Sequence, residues 1–174
     1  MAISNQEEFF AYELSAAYSA EQTLQKGTME MRDRAQDSHL RQLLDEHVND
    51  SQKQIKELER AFKEMGRQPR YVRCHFAEGL IEDFRATASQ VNDVRMIDLA
   101  ILGGWSKAEH VEIAVYRGLC EKAELMGNER VYDILKSILA AEERTAKTIE
   151  RTSENMGKRV IGKSGGGRDL SFRQ

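Results

Sequence analysis

The chain has 174 residues, 40% hydrophobic and 32% charged, with a net charge of −3. That balance suits one folded domain with a full core and excludes a disordered chain or a general nucleic-acid binder. The single proline, against many Ala, Leu, Glu, Lys, Gln and Arg, favours helices, and no apolar run approaches the roughly 18 residues that a membrane span needs.

The opening stretch MAISNQEEFFAYELS is acidic and polar, so it is not read as a signal peptide, and the expected compartment is the cytoplasm. From about residue 4 to 33 a first helix is expected, with Phe10, Leu14, Ala17, Leu24 and Met31 on one face and a capping sequence at Ser4–Asn5. A second runs from about 36 to 65, with Leu40, Leu44, Val48, Ile55, Leu58 and Phe62 inward. It ends at EMGRQP, where Gly66 and Pro69 stop it. A crossover follows, and its FAEGLIEDFRATAS segment forms a shorter helix. The third long helix starts near Asn92–Asp93 and continues to about Met126; the fourth covers 129–155 with Val131, Leu135, Ile138 and Ile149 on one stripe. Residues 157–174 are glycine-rich and basic and read as a flexible tail, leaving 1–156 as the folded domain. Cys74 and Cys120 lack a CxxC spacing and are read as reduced thiols. Two helical hairpins joined by one long crossover define an all-α, ferritin-like four-helix bundle with a short extra helix in the crossover, and no solenoid repeat is visible.

The inner stripes contain residues that an apolar core does not need. Glu21 fills the central gap of the first stripe, and His47 lies in the second with Asp50 three residues on. Glu109 and Glu112 interrupt the third stripe, beside Trp105, Ala108, Val115, Tyr116 and Leu119, and Glu142 interrupts the fourth. A mid-helix glutamate taken singly is most simply solvated or ion-paired; Glu143 is read so, and Gln22 as a surface residue. His39 and His75 are given structural roles, and His110, well around the helix from Glu109, is expected to hydrogen-bond locally. Tyr18 and Tyr116 are read as core aromatics. The coincidence across four helices is what carries the argument. Several carboxylates buried together repel one another and resist ionisation, and two metal ions between them would relieve both costs. The candidate ligands are therefore Glu21, His47, Asp50, Glu109, Glu112 and Glu142. A hard-oxygen set with one imidazole suits iron, or manganese, better than structural zinc, and such a site reacts with oxygen or peroxide. The alternative is a metal-free structural or interaction bundle whose inner carboxylates are protonated or paired with Lys or Arg. Lys107 and Arg117, however, fall off the stripe.

Over roughly residues 8–150 the sequence resembles the YciE/YciF-type stress-protein family of the ferritin-like superfamily. The stretches that carry the resemblance are AYSAEQTL, LDEHVNDSQKQIKELERAF, CHFAEGLIED, AEHVEIAVY and ILAAEER. The resemblance implies a four-helix bundle with a crossover helix, homodimers, a dinuclear iron-type centre and an association with stress. Departures fall at the centre itself. Asn49 and Asp50 replace two glutamates of the family's HLEET-like segment, Gln54 stands where a histidine is common, and SKAEHV replaces a QRVEHY-like segment. Neither the second nor the fourth helix carries Glu-x-x-His.

Overall fold

In the computed structural model, which describes residues 3–162, five helices follow one another: α1 (Gln6–Arg34), α2 (Ser38–Glu64), α3 (His75–Ser89), α4 (Ile97–Leu125) and α5 (Glu129–Val160). A 3-10 turn, Val94–Met96, leads into α4. Three of the four long helices, α1, α2 and α5, start on a side chain that caps them. Asn5 accepts from the Glu8 amide, Asp37 from those of His39 and Leu40, and Asn128 from that of Val131; a cap of this kind is worth about 1 kcal/mol. α2 and α4 end alike, on Gly66 (φ 65°) and Gly127 (φ 68°), a left-handed turn that side chains resist.

α1 pairs with α2 and α4 with α5, while α1 also packs on α4 and α2 on α5. Two apolar clusters show the chain directions. One gathers Phe10, Leu14, Leu58, Phe62, Tyr116, Leu119, Val131 and Leu135; the other gathers Met31, Leu40, Leu44, Ile101, Trp105, Ile149 and Met156. Neighbouring helices are therefore antiparallel, and the 65–96 crossover returns the chain from the first end to the second. On that return the crossover is held by buried serines of α1: Ser15 Oγ accepts from the Arg70 amide and Ser19 Oγ from the Val72 amide. α3 then lies against α1 and α4. At the other end the buried Asp98 carboxylate accepts from the amides of Gln36 (2.8 Å) and Asp37 (2.9 Å), fixing the α1–α2 turn.

The bundle with its crossover helix is thus as expected from sequence, and the expected stripes are buried, except that Val48 and Val115 are half-buried. Two boundaries differ. α4 begins at Ile97, after the Val94–Met96 turn, and not near Asn92–Asp93. The tail expected from 157 begins later, because α5 continues through Gly157 to Val160. Met156 is buried in the second cluster, Val160 packs against it, and Arg159 reaches Asp37 at 2.6 Å, so this last turn is anchored. Residues 163–174, the rest of that tail, lie outside the described residues. No helix among the described residues is long and apolar enough to cross a membrane.

Candidate metal centre

Between the two apolar clusters lies a polar layer. Glu21 from α1, His47, Ser51 and Gln54 from α2, Glu109 and Glu112 from α4 and Glu142 from α5 are all buried, with Glu109 at 0% and Glu142 at 1% exposure. Each long helix brings its polar residues to mid-length. Glu109 and Glu112, one turn apart, share the inner face of α4. Oxygen atoms from Glu109, Glu112 and Glu142 lie within 4.8 Å of one another. Glu109 Oε1 accepts from the Trp105 indole (2.8 Å) and lies 3.0 Å from His47 Nε2. Tyr116 donates its hydroxyl to Glu21 Oε1 at 2.5 Å. The Gln54 amide donates to Glu142 Oε1.

Electrostatics follow from this crowding. Burial, with the charges of Glu109 and Glu21 nearby, pushes Glu142 up to about 11. Glu21 is pushed up to about 7 by burial, moderated by the Tyr116 hydrogen bond and by His47. Glu112 is raised well above the ordinary range by burial and then by Glu21, Glu142 and Glu109. Burial works against a charged His47, but the adjoining Glu109, with Glu21 and Asp50, outweighs it and lifts the imidazole above its usual value. Burial, with Glu21, Glu112 and Glu142 nearby, holds the Tyr116 phenol well up.

Five of the six residues expected to ligate are brought together; Asp50 is not. Its side chain is 52% exposed and pairs with Lys53 at 2.7 Å. The inner stripe of α2 runs through His47, Ser51, Gln54 and Leu58, and at 100° per residue Asp50 falls about 70° from the centre of that stripe. Three-residue spacing from His47 was not sufficient, because it turns Asp50 about 60° away from His47 and off the stripe. Gln54, two turns beyond His47, takes the inward place. Three other polar expectations hold: Glu143 pairs with Arg117 at 2.6 Å, Lys107 lies off the stripe and pairs with Asp83 at 2.6 Å, and His110 Nδ1 bonds the Ser106 carbonyl at 2.8 Å. His39 and His75, expected to have structural roles, are exposed. Tyr116 belongs to the core as expected, and in addition tethers Glu21. Cys74 and Cys120 are free and buried.

The layer fits metal on its own chemistry. Glu109 Oε2, Glu142 Oε2 and Gln54 Oε1 are buried oxygens without a hydrogen-bond partner among the described residues, and no lysine or arginine there is buried to neutralise them. Orphaned acceptors in low dielectric are costly unless a cation or proton answers them.

Fold and layer together define a ferritin-like four-helix bundle with a buried carboxylate cluster at mid-height. The chain belongs to the family described as "Domain of unknown function (DUF892)", which it matches over residues 5–160. Protein YciF of Escherichia coli K12 is 28% identical over 162 residues, 91% of this chain and 96% of its own. The solved structure of that E. coli stress protein superposes with a TM-score of 0.86 at 25% identity, covering 90% of this chain and 99% of its own. YcfI of Rhodopseudomonas palustris gives 0.83 at 32% identity over 85% of this chain and 94% of its own. A ferritin-like, diiron-carboxylate protein of Bacillus anthracis shares the fold, with 0.66 at 16% identity over 87% and 99% of the two chains.

Proposed function

We propose that the polar layer holds two metal ions, iron or else manganese, and that the protein reacts with oxygen or peroxide in protection against stress. The ligands would be Glu21, Glu109, Glu112, Glu142 and His47. The single observation that carries this reading is the set of buried, unpartnered oxygens on Glu109 and Glu142 beside Glu112, with no buried lysine or arginine near them. Four carboxylates, when ionised, are balanced by two divalent ions. Oxygen donors with one imidazole suit iron or manganese.

Bound iron would supply the electrons for reducing the oxidant. The chain's own contribution is positional. Trp105 orients Glu109, and Glu109 holds the His47 imidazole through Nε2. Tyr116 fixes Glu21, and Gln54 fixes Glu142. The apolar clusters above and below exclude bulk water. Metal binding must displace the protons that burial places on Glu112 and Glu142, so affinity is expected to rise with pH. The working unit in this reading is a cytoplasmic homodimer, which a sizing column checks. The reading itself is tested by loading protein with Fe(II) without oxygen, then adding oxygen or peroxide and following oxidant consumption and ferric absorbance. Loss of both in Glu112→Leu is expected; equal consumption by the two proteins would refute it.

A specific observation favours a second reading. Glu21, Glu109 and Glu142 each accept a hydrogen bond from the protein itself, as a metal-free structural bundle would require, and YcfI carries a structural rather than a catalytic description. In that case Fe(II) leaves thermal stability unchanged.

A further inference from the structure

The polar layer is closed above and below by the apolar clusters, but not on every side. Between α1, α3 and α4 a narrow cleft runs inward and ends on His47, Glu109 and Glu112. Its walls are Leu24, Gly27, Thr28 and Met31 of α1, Leu80 and Ile81 of α3, and Gly104, Trp105 and Ala108 of α4. Of all these residues Leu80 alone is more than marginally exposed; the rest are buried. Its free space is about 10 Å³, close to what one water needs.

The walls also have a chemistry. Before the cleft reaches its floor the polar side-chain groups are the Thr28 hydroxyl, already committed to the Leu24 carbonyl at 3.1 Å, and the Trp105 indole N–H, committed to Glu109. No lysine or arginine lines the cleft to recruit an anion, the His47 imidazole at the floor is already paired with Glu109, and the carboxylates there repel one. Width is set by close approach: a side chain on Gly27 would bring a Cβ within 2.8 Å of Ile81 Cγ1, so the bare glycine lets α3 sit tightly on α1.

We propose that this cleft is the path by which a small, uncharged, weakly polar oxidant reaches the carboxylate layer, with Leu80 and Ile81 as the residues that set its size limit. Dioxygen fits that class; an anion, a peptide or a sugar does not. The choice of an oxidant as the traveller rests on the proposed function, whereas the path and its size limit do not.

The chain supplies its own probe. Trp105 is the single tryptophan, is 2% exposed and lines the cleft. Quenching of its fluorescence in the metal-free full-length protein reports which solutes arrive. Dioxygen should quench at least about tenfold more efficiently than acrylamide, and iodide should not quench. Leu80→Ala, a change at a half-buried site that α3 tolerates, should raise the acrylamide constant about threefold or more, and Ile81→Ala should do likewise. Leu139→Ala, a similar truncation beside the opposite apolar cluster, should leave it unchanged. Acrylamide quenching that is equal to dioxygen quenching in the wild type, or unmoved in both α3 variants, or raised equally by Leu139→Ala, overturns the proposal. None of these results depends on metal, so a failure of metal binding and a failure of the path are told apart.

Discussion

Replacing Glu142 by Gln in metal-free protein should stabilise the fold, and by an amount that depends on pH. Glu142 is almost fully buried and its pKa stands near 11, against an ordinary value of 4.5. A carboxyl raised in the folded state contributes its full stability below the unfolded value; that contribution fades as pH rises, because the unfolded chain ionises while the folded chain must keep its proton. At pH 8 the proton uptake costs about 5 kcal/mol, and at pH 5 only about 1 kcal/mol. Glutamine has nothing to protonate, is close in shape, and keeps an oxygen able to accept from Gln54. The expected gain at pH 8 is therefore on the order of 2–5 kcal/mol, shrinking to below about 1 kcal/mol at pH 5. Urea unfolding of chelator-treated protein at the two pH values measures it. A Gln variant no more stable than wild type at pH 8, or a difference independent of pH, would refute the reasoning.

Three further outcomes are expected. Asp50→Ala should change stability by less than about 0.5 kcal/mol and leave metal affinity as it was, since that carboxylate is exposed and paired with Lys53; chemical unfolding and metal titration check both. Tyr116→Phe removes the donor that lowers the pKa of Glu21, so burial should carry that carboxyl above about 7, an upward move that NMR titration follows. Asp98→Ala strands the Gln36 and Asp37 amides at the α1–α2 turn and should cost about 2–4 kcal/mol in urea unfolding.

The helices and most of the layer were legible in the sequence because both are matters of period. Glu21, Glu109, Glu112 and Glu142 interrupt apolar stripes that tertiary packing buries whole, so reading the stripe located the residues. Asp50 was misplaced for the same reason: a stripe has a width, and a residue three positions from His47 is turned about 60° from it and falls outside. Gln54 lay on the stripe and was noticed only as a substitution, although its two-turn spacing leaves it within about 20° of His47. The bonds from Trp105 to Glu109 and from Tyr116 to Glu21 had different legibility. The first is an i, i+4 pair that spacing alone allows, whereas the second joins α1 to α4 and depends on how the hairpins dock. The Asp98 clamp, 62 residues from Gln36, left no local signal. The end of α5 was set too early because the stretch from 157 is glycine-rich and basic with little core material, while the buried Met156 and the Arg159–Asp37 pair anchor the last turn.

The central claim is that the buried carboxylates hold metal. Anomalous diffraction at the iron and manganese edges, on crystals of protein soaked in Fe(II) or Mn(II), tests it most directly. The expected result is two strong peaks in the layer bounded by Glu21, His47, Glu109, Glu112 and Glu142, absent from crystals of Glu112→Leu. An anomalous map empty there at full soaking, with the Gln54–Glu142 and Tyr116–Glu21 bonds intact, would contradict it.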